Sequence, residues 1–211
     1  MKKILAFSVM CLFSISLLAQ LKPDTSILQI KAPDSFKARF NTTKGSFTIE
    51  ACRAWSPAGV DRLYQLFQTG FYNNNSIFRV QKDYVVQFGI SDDKLVNEFW
   101  EKRPIMDEPV LKSNLKGTIS YARDGANSRT VQLFINKKDN YKLDTVNYNG
   151  LRGFPPIAKI IEGFEVIESF YGGYGFEPAN HQDSIMKSGN AYVKKKFPEV
   201  DYILSVEILE K

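Results

Sequence analysis

Cysteine and histidine are nearly missing from this chain of 211 residues, which holds two cysteines, Cys11 and Cys52, and one histidine, His181. Their scarcity removes whole classes of chemistry. His181 sits in a polar stretch with no second candidate ligand, so no metal site is expected, and nothing in the sequence calls for a cofactor. Long apolar runs are also lacking, with one exception from Ile4 to Ala19. That run follows Lys2 and Lys3 and ends in a small residue before the polar Gln20, which is the pattern of a cleaved secretory signal. It is shorter than the roughly 20 apolar residues that span a bilayer. A periplasmic or secreted protein with no membrane association after cleavage is therefore expected, and a retained N-terminal anchor is the alternative. Cys11 lies within the signal and is preceded by Val9-Met10, a poor match to a lipoprotein motif. Cys52 is then the sole cysteine of the mature chain, which rules out an internal disulfide and suits a small residue at a strand end.

A strong excess of one charge is absent as well. The 28 basic and 23 acidic side chains give +5, and loss of Lys2 and Lys3 brings this to +3. Basic residues are dispersed, and Lys194-Lys195-Lys196 reads as a solvated face, so no nucleic acid partner is expected. What is present is ordinary for a folded domain: 44% hydrophobic and 24% charged residues. The organisation expected is a signal over 1–19, a tether over 20–35 and a single domain over 36–211, expected to be a monomer.

From Phe36 the apolar period becomes two. Ala38, Phe40 and Thr42 alternate with polar residues, Thr43-Lys44-Gly45 supplies a turn, and Phe47, Ile49 and Ala51 resume the alternation, predicting a β-hairpin. Ser56-Pro57 predicts a helix start with Ser56 as N-cap, and Val60, Leu63, Tyr64 and Phe67 recur at helical spacing before Gly70. Strands are predicted at Ile77–Val80, Tyr84–Phe88, Gly117–Ala122, Val131–Ile135 and Pro156–Ile161. A short helix near Phe164–Phe170 and a last strand at Tyr202–Leu209 follow. The segment Ser91–Asn114, with Trp100 and two prolines, shapes a rim or forms a surface excursion packed by its own side chains. Residues 172–200 resemble neither linker nor repeat.

Two segments carry the chemistry. In Ser76–Gly89, SIFRVQKDYVVQFG, a cation (Arg79) and an amide (Gln87) stand among Ile77, Phe78, Val80, Val85, Val86 and Phe88, with Tyr84 between them. Downstream, SYARDGANSRTVQLFIN contains Ala122 and, ten positions later, Gln132. These stretches resemble the F-x-R-V-x-x-x-F-x-x-Q-x-G pattern and the second motif of cyclophilin-type peptidyl-prolyl cis-trans isomerases. Ile157-Ala158-Lys159-Ile160 stands where that family has F-G-K-V. The likeness covers Phe36 to Lys211, and the tail, with GYG and GNAYVKKKFPEVDYI, is similar to secreted or organellar members from bacteria and plants. It implies a mainly β fold, a closed antiparallel eight-stranded β-barrel capped by two α-helices.

By position, the resemblance implies that Arg79 contacts the prolyl amide and Gln87 orients Arg79. Tyr84, Val85, Phe134 and Leu143 would line a proline pocket with Phe154 near its rim. Ala122 and the main chain of Arg123 would meet the peptide backbone, and Gln132 would bond the residue before proline. Tyr84 replaces a phenylalanine, Phe154 a frequent histidine, and Lys142, beside Tyr141, a tryptophan or phenylalanine; since the tryptophan donates its indole N–H to cyclosporin, the resemblance implies weakened binding of that drug.

The implied activity suits these residue types. Rotation about an X-Pro bond meets a barrier of roughly 18 to 20 kcal/mol and breaks no bond. In the twisted state the nitrogen lone pair leaves conjugation with the carbonyl, so a donor aimed at it stabilises that state over the planar one. Arginine stays charged and presents a planar fork of donors, and an apolar pocket excludes water around it. Taken alone, Arg79 would read as a surface strand residue, Tyr84, Phe134 and Leu143 as core, and Gln132 as a partner for nearby backbone. The partners expected are proline-containing polypeptides. A weakly active chaperone or peptide-binding module on the same barrel is the second reading, and a barrel binding a small ligand the third.

Overall fold

The computed structural model describes residues 23–210, so the signal read over Met1–Ala19 lies outside the described residues. The lead-in read as a tether is held on the domain. Thr25–Gln29 form a 3-10 turn capped by Asp24. Ala32 N–H donates to Asp61 at 2.9 Å, and the Gln65 amide donates to the Ile30 carbonyl at 2.8 Å.

Strands β1 (Ser35–Thr42) and β2 (Gly45–Cys52) form the predicted hairpin, paired from Ser35↔Cys52 to Thr42↔Gly45. Helix α1 (Pro57–Gln68) follows, then β3 (Asn75–Ser76), β4 (Arg79–Val80) and β5 (Val85–Phe88). Next come α2 (Lys94–Glu101), β6 (Thr118–Tyr121), β7 (Leu133–Asn136), α3 (Lys142–Thr145), and a small separate hairpin of β8 (Asn147–Tyr148) and β9 (Leu151–Arg152). The chain ends through β10 (Pro156–Glu162), α4 (Phe164–Ser169), a 3-10 turn at Glu177–His181, α5 (Gln182–Lys196) and β11 (Tyr202–Glu210).

The expectation of a mainly β, antiparallel fold holds, with two corrections. Among the described residues the ladder has nine strands in the order β3-β11-β1-β2-β10-β6-β7-β5-β4, and its two edges share no hydrogen bonds. The edges are nonetheless neighbours in sequence, because only Ile77-Phe78 separates β3 from β4. Of the strand predicted over Ile77–Val80 only Arg79–Val80 pairs in the ladder, with β5; Asn75–Ser76 just before it pair with β11, and Ile77-Phe78 form a seam that joins the two rims covalently. The two predicted helices are present as α1 and α4, and α2, α3 and α5 accompany them. Trp100 accounts for α2: it is fully buried, and the helix that carries it converts the expected excursion into part of the core.

Strand alternation decides what is inside. Val86 and Phe88 of β5, Leu133 and Ile135 of β7, and Val80 of β4 enter the main core with Phe40, Phe47, Leu63 and Phe67. Phe40 stacks on Phe47 at 4.7 Å and meets Phe67 and Phe88 edge-on. The intervening residues Arg79, Val85, Gln87 and Phe134 therefore face away from this core. A one-residue slip would exchange the two sets, so the apolar interior fixes the outer face as well.

The start of α1 departs from expectation. Ser56 is buried but does not cap; its hydroxyl donates to Glu108. The Glu108 carboxylate instead accepts from Ala58 N–H at 2.8 Å and Gly59 N–H at 3.1 Å, and pairs with the fully buried Arg129 at 3.0 Å. Burial alone would push this carboxyl up, but the bonds from Ser56, Ala58 and Arg129 outweigh it and hold the pKa below the ordinary value. A residue 52 positions from Ser56 thus does the capping.

Candidate active site

The eight-position spacing of Arg79 and Gln87 becomes a contact because β4 and β5 form a hairpin. Arg79 and Gln87 are directly paired across it. The turn between them holds Asp83 at φ 53 and closes with Gln81 N–H on the Val85 carbonyl at 2.9 Å. Arg79 Nη1 donates to Gln87 Oε1 at 2.9 Å, while Nε donates to Gln81 Oε1 at 2.8 Å and Nη2 donates to the same oxygen. Of the five N–H groups of the guanidinium, three are engaged. One on each terminal nitrogen has no partner among the described residues. Burial draws the Arg79 pKa down from the usual arginine value, with Tyr84 acting the other way. The group remains a cation at any physiological pH.

Strand β7 lies beside β5, with Gln87 opposite Phe134. Gln132 precedes β7 on the same face as Phe134, and its carbonyl accepts from Ala122 N–H at 2.9 Å. Gln87 Nε2 donates to Gln132 Oε1 at 2.9 Å. The close approach of the two strands depends on Gly89. Its φ is 117°, and a Cβ there would sit 2.7 Å from Gln132 Cα and 2.8 Å from the Val131 carbonyl oxygen.

Across from this wall, the loop around α3 supplies Leu143 and Phe154. Phe154 N–H donates to the Leu143 carbonyl at 2.8 Å, and Asn114, fully buried, ties the loop down through Asp144 and the Phe154 carbonyl. Phe134 and Phe154 meet edge-on at 5.7 Å. Arg123 is buried, with Nη2 donating to the Gly153 carbonyl at 2.6 Å and the guanidinium 4.7 Å from the Phe154 ring. Its side chain secures the opposite wall.

All ten residues singled out in the sequence, Arg79, Tyr84, Val85, Gln87, Ala122, Arg123, Gln132, Phe134, Leu143 and Phe154, line one cavity of about 450 Å³. The sequence reading missed others on its wall. Glu101 accepts from the Thr130 hydroxyl at 2.9 Å, and Val146, Asp124, Phe176 and Gln182 also line the cavity. Phe176 and Gln182 come from the segment 172–200, whose role no sequence pattern revealed. Gln81 lies inside the first motif, and its polarity two residues after Arg79 was the available signal. Lys142 is exposed and does not line the cavity. Val85, Phe134, Leu143 and Phe154 make an apolar floor sized for a small ring, and Arg79 stands at its edge with two donors to spare. No group of three or more His, Cys, Asp or Glu side chains among the described residues is placed to hold a metal.

The profile of the family described as cyclophilin type peptidyl-prolyl cis-trans isomerase/CLD matches residues 37–189. The chain is 31% identical over 147 residues to peptidyl-prolyl cis-trans isomerase A of Dickeya dadantii, covering 65% of this chain and 72% of that one. It is 29% identical over 132 residues to peptidyl-prolyl cis-trans isomerase 10 of Caenorhabditis elegans, covering 61% and 77%. Among solved structures, a cyclophilin type isomerase of Cryptosporidium parvum superposes with a TM-score of 0.59 at 19% identity, over 84% of this chain and 99% of that one. The cyclophilin AquaCyp293 of Hirschia baltica gives 0.56 at 16% identity, over 84% and 75%. At these identities the structural likeness concerns the fold.

Proposed function

Because this chain belongs to the cyclophilin-type peptidyl-prolyl cis-trans isomerase family, we propose that it accelerates rotation about X-Pro bonds in proteins folding outside the cytoplasm, with Arg79 as the group that meets the twisted prolyl nitrogen. The observation that carries the reading is the placement of the guanidinium. Gln81 and Gln87 engage three of its N–H groups and leave two without a partner among the described residues, beside an apolar floor. A proline ring on Val85, Phe134, Leu143 and Phe154 sets its nitrogen within reach of that fork. As the bond twists, the nitrogen becomes an acceptor, and the donor gains in the transition state what it lacks in the planar substrate. The remaining donor is available to a substrate carbonyl. Gln132 keeps one amide hydrogen and one acceptor lone pair for the backbone before proline, with Ala122 and Arg123 beside it on the cavity wall.

The test is cis to trans relaxation of a proline peptide with and without the purified domain. Acceleration well above the uncatalysed rate, which relaxes over about 10 to 100 s, supports the enzyme. Binding of the peptide without acceleration would instead favour a peptide-holding module. For the location, the support is the sequence pattern of Met1–Ala19. An intact mass of exported protein that starts near Gln20 bears it out, and a membrane fraction retaining Met1 refutes it.

A further inference from the structure

Residues 172–200 are packed by a second, smaller core in which Phe78 and Ile90 meet Ala179, Ile185, Val193, Phe197 and Val200. Val80 N–H donates to the Gly175 carbonyl at 3.2 Å, so the segment is joined directly to the strand that bears Arg79. Two of its side chains act on that arginine. The Phe176 ring lies 4.7 Å from the guanidinium carbon, and Tyr84 provides a second ring at 5.6 Å. Phe176 is 45% exposed and belongs to neither hydrophobic core, so its placement on the cation is not a by-product of burial.

Gln182 acts from the other end. Arg79 Nη1 donates to Gln87 at 2.9 Å, Gln87 to Gln132 at 2.9 Å, Gln132 to Gln182 at 2.7 Å, and Gln182 to the Ala179 carbonyl at 3.1 Å. Every link donates in the same sense. A backbone carbonyl can only accept, so Ala179 sets which way the Gln182 amide faces, and that choice passes to Gln132 and Gln87. The outcome is that Gln87 turns its oxygen to Arg79. A reversed Gln87 would oppose N–H to N–H and push the guanidinium off its position.

We propose that Phe176 and Gln182 are positioning residues for prolyl isomerisation, and that the segment 172–200 is a clamp fixing the Arg79 fork at the edge of the proline floor. The inference rests on Arg79 being the group that meets the prolyl nitrogen. Preorganised donors raise the rate of a step without tightening the ground state, so the effect belongs in kcat rather than KM.

The experiment compares variants of the full chain on an Ala-Ala-Pro-Phe peptide, measuring kcat and KM separately, the melting temperature, and the NMR resonance of Arg79 Nε–H, which the Phe176 ring current shifts. Phe176→Ala is expected to lower kcat about three- to thirtyfold with KM within twofold. Phe176→Tyr, which keeps the ring, restores it. Gln182→Leu is expected to lower kcat about three- to tenfold, while Gln182→Glu, still able to accept from Gln132, retains most of it. In an Arg79→Ala background neither substitution has a further effect. Should Phe176→Ala fail to fold, Phe176→Leu keeps the volume, loses the ring face, and is expected to show the same loss. If Arg79→Ala is impaired while Phe176→Ala and Gln182→Leu stay within twofold of wild type, the clamp is overturned and the mechanism stands. If their losses persist without Arg79, the clamp is likewise overturned. If Arg79→Ala is itself fully active, it is the mechanism that fails, and the clamp with it.

Discussion

Removing the Arg79 side chain is the substitution with the largest expected consequence for rate and the smallest for folding. The guanidinium stands on the outer face of β4, away from the main core, and burial draws its pKa down, which means that its charge is held at some expense of hydration. Its three bonds to Gln81 and Gln87 offset that expense. With alanine, water can enter the vacated space and satisfy both amides, so the melting temperature should move by no more than a few degrees. Rate is another matter. A hydrogen bond from a charged donor is worth about 1.5 to 3 kcal/mol. If it forms fully only when the prolyl nitrogen is out of conjugation, its loss lowers kcat/KM by roughly ten- to two-hundredfold. Arg79→Lys should fall between, because one ammonium cannot serve Gln81, Gln87 and the substrate together. The assay is relaxation of a cis-enriched Ala-Ala-Pro-Phe peptide, corrected for the uncatalysed rate, beside thermal unfolding of each variant. An Arg79→Ala protein that melts normally and keeps wild-type kcat/KM would refute the reasoning.

Activity should be nearly flat between about pH 6 and 8, since arginine does not titrate there and the mechanism names no acid or base; a steep bell-shaped profile would contradict this. Glu108→Ala should destabilise the fold by about 3 kcal/mol or more in chemical denaturation, because it leaves the fully buried Arg129 without its closest carboxylate and α1 without its cap; an unchanged denaturation midpoint would count against it. The Glu108 carboxyl has a folded pKa below its ordinary value of 4.5, so its stabilisation is present above that pH and is lost as pH falls through the folded pKa. Acid unfolding of Glu108→Gln should therefore lack that component. Gly89→Ala should cost about 1 to 3 kcal/mol, since φ is 117° and the new methyl would press on the β7 backbone, with activity falling alongside stability.

The first hairpin was legible because it buries one face, and alternation records that directly: Phe40 and Phe47 went where their period placed them, whereas the strands carrying Val86, Phe88, Leu133 and Ile135 were legible as apolar runs whose inner face the sequence left open. The cavity residues were legible for a related reason. A hairpin turns a fixed spacing into a contact, so Arg79 and Gln87 carry their geometry in the interval between them. What escaped reading depends on partners far along the chain. Ser56 looks like a cap in its local context, and nothing near it announces Glu108. Helix α5 is broken at Gly189, where φ is 56° and a side chain would strike Asp92, so its two halves show no continuous period. Phe176 sits in a polar, glycine-rich stretch that carries no sign of the arginine it covers. Trp100 belonged to a segment whose prolines masked an eight-residue helix.

The seam between β3 and β4 bears on when this molecule comes into being. The strand that holds β3 in the ladder is β11, which also lies along β1, so residues 202–210 complete a ring begun at residue 35. Pairings such as Lys37↔Glu210 span nearly the whole length, and contacts of that range make folding slow and late. A nascent chain emerging from a ribosome or a translocation channel would already contain both motifs and still lack the strand that anchors β3, from which Ile77-Phe78 lead into the strand bearing Arg79. Catalysis then starts with the addition of β11, and a tethered chain stopped at residue 200 should be silent however long it is allowed to fold.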